Sequence, residues 1–332
     1  MVGVSRIVGN VRPFVKPFET APRMVTGTLP HMRGVTRMLA TVIAISACGT
    51  QTAPTPSSTV APPTTPAPAI TSTSTTTTTP LDTGPPQPAC VRGEPEFSED
   101  GLVATLGTGA GDAASIGNVR WEIHEGCERV VVDLLTADGA PAGTLGESSV
   151  GYRAESGVIR IDLPAVETGI ADAKIEGGLA QRMFVVRTAT GNLAVDIHLG
   201  SGVAALVRAS EIREPARVVV DIAQRAGDDL QVIAPLVVDN LVLLTPAPGP
   251  ARYPLNVSGY ARTFEANVTA RLVVDGSISA AESTTAADWL DAWGEFAVTF
   301  ETGPPGDVTL LVGEVAAADG HLEGGAIRLH LP

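Results

Sequence analysis

The segment VTARLVVDG, residues 268–276, indicates the fold class of this chain. Apolar Val268, Ala270 and Leu272 alternate with polar side chains, which is the period of two that a half-buried β-strand requires. The segment ends in Asp-Gly, a dipeptide that favours a tight turn between two strands. We therefore expect a strand that ends in a turn at Asp275-Gly276.

The same alternation recurs on both sides of this segment. It is found in residues 158–163, 193–199, 255–258, 296–300, 308–312 and 327–331, with Gly, Pro and Asp-Gly turn signals between the segments. In residues 193–199 it places Asp196 and His198 on the outward face of the predicted strand. The sequence has no long apolar period of 3.6 residues. It therefore predicts an all-β fold with two β-sandwich domains, residues 89–226 and 232–332, and the spacing in the second is typical of an immunoglobulin-like sandwich.

Composition limits how these cores can be built. Hydrophobic residues make up 44% of the chain and aromatic residues only 4%. Val, Leu, Ile and Ala must therefore fill most of the interior. Few aromatic residues also disfavour a surface on which nucleic-acid bases stack.

Charge excludes another class of partner. From Cys48 onward the chain carries 16 basic and 35 acidic residues, a formal charge of −19. Such a body is repelled by DNA, by RNA and by anionic lipid headgroups. We expect no nucleic-acid partner.

The N-terminal region, residues 1–47, has the features of an export signal. The basic stretch MRGVTR (32–37) precedes an apolar run of about eight residues, MLATVIAI (38–45), which is too short to span a bilayer. Residues 1–31 do not fit a signal, so Met32 or Met24 is an alternative start.

Small residues and a cysteine follow this run in ISACG (45–49). The segment resembles a bacterial lipobox, which implies cleavage before Cys48 and acylation of its thiol, with palmitate among the acyl chains. We therefore expect a lipid anchor on Cys48 at the extracytoplasmic face of the cell membrane, since multiple acyl chains hold stably. The alternative is that Cys48 is part of an ordinary signal peptide.

Residues 48–88 are predicted to form a disordered linker. Thr, Pro, Ser and Ala dominate this segment, and they bury too little apolar surface to offset the entropy of ordering the backbone. A Pro-rich chain extends by about 3.1 Å per residue, so the linker could reach at most about 120 Å. It would hold the folded part away from the membrane; a tail with no role is the alternative.

Two motifs in the first domain are similar to those of a known family. CERVVVD (127–133) and EPARVVVDI (214–222) resemble the opening and closing strands of the AMIN-like domain of actinobacterial lipoproteins. The related AMIN domains of cell-wall amidases are associated with envelope targeting. The resemblance therefore implies a β domain that binds the wall or an envelope partner.

The second domain resembles another family. The block PLNVSGYARTFEANV (254–268), with TPAPG (245–249), GEF (294–296) and the late Asp319-Gly320 pair, looks like the immunoglobulin-like domain of bacterial spore-germination proteins, the second Gmad family. The resemblance implies a binding or scaffolding module and no chemistry of its own.

Cys90 and Cys127 are the remaining cysteines of the chain. In an oxidising extracytoplasmic compartment this pair predicts a disulfide, which would stabilise the fold by roughly 3–4 kcal/mol in the chain-entropy account. Two buried free thiols are the alternative.

Groups that commonly carry catalysis are sparse. The four histidines after Cys48 lack metal-ligand spacing, and His198 and His330 are predicted to be solvated. GTGAG (107–111) is interpreted as a plain loop, and the chain has neither a G-x-S-x-G elbow nor an S-x-x-K motif. Asp228 and Asp229, with Asp239, could contact a cation, although acids in an acidic protein are usually just solvated. We expect no catalytic residues, no metal site and no cofactor.

The segment DWLDAW (288–293) offers the candidate binding residues Trp289 and Trp293. A short helical turn would place both rings on one side, as an exposed platform for sugar rings or a protein. The alternative is that both rings cap the sandwich core.

The expected function is therefore non-enzymatic. A lipid-anchored envelope protein that binds peptidoglycan or an envelope protein through its β domains accounts best for these features. One rival is an adaptor of a membrane complex without glycan affinity. Another is a glycan hydrolase, which requires two carboxylates about 5–10 Å apart in a cleft.

Overall fold

A computed structural model of the chain describes Arg6–Ile7 and residues 95–332, except residues 125, 176–177, 227–230 and 319. The described chain forms β-strands and one 3₁₀ turn, Phe264–Ala266, without an α-helix. The predicted all-β fold class is confirmed. Cys48, Cys90, the linker and the Asp228-Asp229 pair lie outside the described residues.

Within the described residues, twelve strands precede residue 225. They are β1 (Arg6–Ile7), β2 (Gly101–Leu106), β3 (Ser115–His124), β4 (Cys127–Leu135), β5 (Ser148–Arg153), β6 (Val158–Leu163), β7 (Glu167–Thr168), β8 (Asp172–Lys174), β9 (Ala180–Arg187), β10 (Leu193–Leu199), β11 (Ala205–Ile212) and β12 (Arg217–Gln224).

Nine strands follow in the C-terminal part of the described chain. They are β13 (Leu236–Val238), β14 (Leu241–Thr245), β15 (Gly249–Pro250), β16 (Leu255–Ala261), β17 (Asn267–Val274), β18 (Ser277–Thr285), β19 (Trp293–Phe300), β20 (Gly306–Val315) and β21 (Leu322–Leu331). The opening segment, residues 268–276, lies in β17 and its turn, and β18 is its antiparallel partner.

The strands form three sheets. The first has the order β1-β3-β4-β12-β11, with β7 beside β3, and the third has the order β15-β21-β20-β17-β18. The second contains ten strands and runs β13-β14-β16-β19-β9-β10-β6-β5-β2, with β8 beside β9. This long sheet therefore takes strands from both predicted sandwiches.

The two motifs CERVVVD (127–133) and EPARVVVDI (214–222) are neighbours in the first sheet. β4 and β12 pair antiparallel, so Arg129 lies opposite Asp221 and Asp133 lies opposite Arg217. Arg129 Nε donates to Asp221 Oδ1 at 2.6 Å, and Arg217 Nε lies 3.2 Å from Asp133 Oδ1. One face of these strands thus carries a ladder of ion pairs, while the other packs into the core.

The first core is mostly aliphatic. Residues of both its sheets meet in one cluster, which includes Val130, Val132, Ile159, Ile161, Val195, Ile197, Val218 and Val220. Each fully buried side chain of this kind contributes about 1.5–3 kcal/mol relative to exposure. The β-branched residues of the quoted motifs therefore serve packing.

The second core lies between the C-terminal strands of the long sheet and the third sheet. Val268, Ala270 and Leu272 of β17 point into it, together with Phe296 and Phe300 of β19. The sequence alternation predicted these buried faces correctly.

The two cores meet at a joint cluster formed by Phe184, Val186, Val242, Tyr260 and Trp293. β19 pairs with β9 in parallel here, so Trp293 lies opposite Val186 and Gly294 opposite Arg187. The ring centroids of Phe184 and Trp293 are 5.0 Å apart with an edge-on geometry. The joint cluster therefore makes a third, small core between the sandwiches.

The joint corrects one prediction. Asp196 and His198 were expected to face solvent, but β10 is buried along its whole length. Strands of the C-terminal sandwich supply the partners on its second face, as the contact between His198 and Tyr260 shows. Alternation within one strand describes its two faces and cannot reveal that another domain covers the polar one.

Candidate functional site

Trp293 is a joint residue and not an exposed platform. Its side chain is 2% exposed, and its indole Nε1–H donates to Asp172 Oδ2 at 3.1 Å. The predicted helical turn is also absent from residues 288–293, where β19 begins at Trp293. The surface interpretation of Trp293 is therefore wrong, because the neighbouring sandwich covers its ring.

Trp289 lies at the surface, half-buried against the second core. Its ring meets that of Phe264 edge-on, with 5.5 Å between the centroids. Phe264 is 62% exposed and Leu290 is 61% exposed. We call Phe264, Trp289 and Leu290 the apolar patch. Phe264 was not among the binding candidates predicted from the sequence, because residues 254–268 were considered only as a family motif.

Asp288 fixes the loop that carries Trp289 and Leu290. Its Oδ1 accepts hydrogen bonds from the backbone amides of residues 289, 290 and 291, at 2.6, 2.8 and 3.3 Å. Its Oδ2 accepts from Arg187 Nε of β9 at 2.7 Å. Burial of the carboxyl raises the pKa of Asp288, but Arg187 and these amides outweigh burial and lower the pKa overall.

A polar groove borders the joint on another side. We call it the joint groove; it has a volume of about 480 Å³. Its lining includes Glu147, Ser149, Arg160, Asp162, Thr188, Thr190, Asn192 and Glu295. Hydroxyl, amide, carboxylate and guanidinium groups from both sandwiches therefore face one space.

Arg160 organises the floor of the joint groove. Its Nε lies 2.9 Å from Asp196 Oδ1, and its Nη2 lies 2.7 Å from Glu295 Oε1. Burial lowers the pKa of Arg160, but the adjacent carboxylates raise it more, so the guanidinium stays charged. Burial raises the pKa of Asp196 to about 6, although Arg160 opposes this rise.

His198 is a neutral group inside the joint. Its Nε2 shares a hydrogen bond with the hydroxyl of Tyr260, and its ring lies edge-on to Phe184 at 4.9 Å. Burial, and secondarily the charge of Arg182, lowers the pKa of His198 to about 3. Its placement suits packing and hydrogen bonding rather than proton transfer near neutral pH.

A further cavity of about 900 Å³ lies beside His198. Its lining includes Asp172, Lys174, Arg182 and apolar residues such as Pro235. Asp172 is already engaged, because it accepts from Trp293 and lies 3.4 Å from Arg182 Nη2.

The predicted loop GTGAG contains no strand in the structure, and it is followed by Asp112, which connects it to a second loop. Asp112 accepts hydrogen bonds from the amides of Gly143 and Thr144 and from the Thr144 hydroxyl. These bonds, led by that of Gly143, lower the pKa of Asp112 to about 2. The aspartate therefore ties the loop that follows GTGAG to the loop at residues 143–144.

Other candidate residues fall in separate places. His330 is exposed as predicted and lies 2.8 Å from Asp307. Within the described part of the chain, no three His, Cys, Asp or Glu side chains form a group suited to a metal ion. Cys127 is disulfide-bonded, while its predicted partner Cys90 lies outside that part. In the same residues, no helix has the length and hydropathy needed to cross a membrane.

The comparisons with known proteins concern the C-terminal sandwich. Residues 240–321 match the family described as the immunoglobulin-like domain of bacterial spore germination. No curated protein and no solved structure matches the chain. The matched range contains the whole apolar patch and excludes the first sandwich. The resemblance predicted for the second domain is thus confirmed, and residues 240–321 are similar to the second Gmad family.

Proposed function

We propose that this protein is a non-enzymatic lipoprotein of the cell envelope that binds the glycan of peptidoglycan in the joint groove. The observation that carries the proposal is the lining of this groove. Glu147, Thr190 and Asn192 are exposed there beside the Arg160–Glu295 pair. Sugar hydroxyls both donate and accept hydrogen bonds, so they match a surface that offers both kinds of partner.

The character of the groove favours a polar glycan over an apolar ligand. The described lining contains no aromatic side chain. Recognition would therefore rest on hydrogen bonds, with charge-assisted ones from Arg160 and the carboxylates being the strongest. An acidic body gains no general Coulomb attraction to an anionic wall, so the binding should resist salt.

The N-terminal sequence supports an envelope location. Acylation of Cys48 would anchor the chain, and residues 48–88 would extend it from the membrane towards the wall. The AMIN-like motifs at residues 127–133 and 214–222 agree with such a role, because related domains accompany cell-wall enzymes. Anchor, tether and groove would together hold a wall-binding surface at the outer face of the membrane.

The test is co-sedimentation of the full chain with purified cell walls at low and high salt. The double variant Glu147→Ala/Asn192→Ala removes two exposed groove groups and leaves Arg160 in place. Glu282→Ala/Asn256→Ala is the matched control, because both residues are exposed in the C-terminal sandwich. We expect salt-resistant pelleting that only the groove variant loses.

The other outcomes distinguish the rivals. If the wild-type chain stays in the supernatant at both salt concentrations, glycan binding is wrong and the adaptor without glycan affinity takes its place. If the control variant loses pelleting as strongly as the groove variant, the binding surface is elsewhere.

A glycan hydrolase is the second candidate, because three carboxylates line the joint groove: Glu147, Asp162 and Glu295. Arg160 lies 3.9 Å from Asp162 and 2.7 Å from Glu295, so it serves both as a counter-ion. A shared counter-ion keeps these carboxylates ionised, whereas a glycosidase needs one protonated carboxyl group as its proton donor. Release of soluble sugar fragments from the walls during the sedimentation assay would overturn the non-enzymatic proposal.

A further inference from the structure

We propose that the C-terminal sandwich has a protein-docking site, separate from the joint groove, that takes a segment with an apolar side chain next to a lysine or arginine. The apolar patch would hold the apolar side chain, and an adjacent acidic pocket would hold the cation. No described residue lines both this pocket and the joint groove.

The apolar patch is presented rigidly to solvent. Phe264 opens a 3₁₀ turn in which the next two residues, Glu265 and Ala266, have left-handed φ angles of 53° and 59°. Non-glycine residues adopt this region at a cost, and such strain is concentrated at functional sites. Asp288 and Arg187 fix the other half of the patch, since they hold the loop that carries Leu290.

A small acidic pocket adjoins the patch. It has a volume of about 100 Å³ and is lined by Asp239, Asn240, Thr263, Glu314 and Glu323, together with backbone of nearby strands. Glu314 connects the two features, because its Oε2 accepts the amide N–H of Phe264 at 3.1 Å. Among the described residues, no basic side chain forms an ion pair with any of the three acids.

Thr263 provides an unpartnered hydrogen-bonding group in the pocket. Thr263 is 2% exposed, and its Oγ1 is buried without a hydrogen-bond partner in the described chain. A buried hydroxyl that makes no hydrogen bond costs free energy, and native structures rarely leave one unexplained. A donor placed in the pocket would satisfy this oxygen and meet the acids at once.

Size and charge identify the occupant. At about 100 Å³ this pocket is much smaller than the joint groove, so it suits the end of one side chain better than a sugar ring. Three acids select an ammonium or a guanidinium group. A second copy of this chain would bring another acidic rim against this one, and an anionic membrane surface would be repelled. A basic, apolar protein segment is the remaining fit.

The test uses three synthetic peptides with blocked ends, titrated into the isotope-labelled full chain and followed by NMR at the Trp289 indole N–H. The sequences are Phe-Lys-Leu, Phe-Gln-Leu and Ser-Lys-Ser. We expect Phe-Lys-Leu to bind at least tenfold more tightly than either of the others. The variants Glu323→Gln and Phe264→Ser should each weaken its binding at least tenfold.

Matched controls separate docking from folding. Glu282→Gln removes an exposed acid and Ile278→Ser an exposed apolar side chain from β18, and both should bind as the wild type does. All variants are compared by circular dichroism and melting temperature. Equal binding of the three peptides, no binding of Phe-Lys-Leu, or unchanged binding by both site variants would overturn the proposal. Dimerisation of the free chain that Phe264→Ser abolishes would assign the patch to a second copy instead.

Discussion

Arg187 and Asp288 join the two sandwiches through a hydrogen-bonded ion pair, with 2.7 Å between Nε and Oδ2. Arg187 belongs to the first sandwich, and Asp288 lies in the loop before β19 of the second. The same carboxylate also binds the amides of the loop that exposes Leu290. One side chain therefore couples the joint to the apolar patch.

Replacing Asp288 by Ala should destabilise the protein by about 2–4 kcal/mol. The change removes three amide hydrogen bonds and leaves Arg187, which is mostly buried, without its carboxylate. Urea unfolding measures the loss. Glu301→Ala, at an exposed position of the same sandwich, should change stability by less than about 0.5 kcal/mol. Equal stability of Asp288→Ala and wild type would show that the loop is held by other contacts.

Gly294→Ala should disrupt the joint. A Cβ atom at this position would lie 2.2 Å from the backbone nitrogen and 2.3 Å from the backbone oxygen of Asp288, so backbone would have to move. We expect a loss of about 1–3 kcal/mol, as for other overpacked sites. Gly151→Ala is the control, since its Cβ would make an ordinary contact of 3.7 Å. The melting temperatures of Gly294→Ala and Gly151→Ala are compared. An equal effect of both variants would contradict the close approach of Gly294 to the backbone of Asp288.

His198 should make the protein sensitive to acid. Its pKa is about 3 in the fold and about 6.5 when unfolded, so the unfolded chain binds the extra proton between these values. The stability that the neutral ring provides is complete above pH 6.5 and is lost as the pH falls towards 3. The slope in that window is roughly 1.4 kcal/mol per pH unit.

Comparison with His198→Gln isolates this contribution. Asp196, whose pKa of about 6 gives a slope of opposite sign between about pH 4 and 6, is present in both proteins and cancels in the difference. The difference in unfolding free energy between the wild type and His198→Gln is measured by urea unfolding at pH 7, 6, 5 and 4. His330→Gln should leave the wild-type dependence unchanged. A difference between wild type and His198→Gln that does not vary with pH would show that His198 takes up protons in the folded state.

Cys48→Ala should release the protein from the membrane. The thiol of Cys48 is the predicted site of acylation, so its loss should prevent lipid attachment and shift the protein from the membrane fraction to the soluble one. Mass spectrometry of the processed wild-type chain should find an acylated N-terminal Cys48. Cys90→Ala is the matched control and should stay in the membrane fraction. An unmodified Cys48 in the mature chain would indicate an ordinary signal peptide.

Particular residues show how far prediction reached. The alternation in residues 268–274 identified a strand and its buried face, and the motif at residues 254–268 identified the similarity of the second sandwich to the second Gmad family. The pairing of Arg129 with Asp221 was beyond reach, because the two residues are 92 positions apart and only the β4–β12 register brings them together. Trp289 is half-buried against the second core, so its role as a binding residue stays a prediction, whereas Trp293 is buried because its ring packs on Phe184 of the other sandwich.

The sequence by itself determined the all-β fold class, the similarity of residues 240–321 to the second Gmad family and the acidic charge. All three depend on local pattern or on composition. The tertiary structure alone decided which polar faces are covered and which surface groups converge. His198 is buried because side chains of the C-terminal sandwich, Tyr260 among them, cover the polar face of β10. The joint groove and the acidic pocket likewise combine residues from separate strands. Alternation records which side of a strand is apolar, whereas burial of the other side depends on long-range packing that no local pattern encodes.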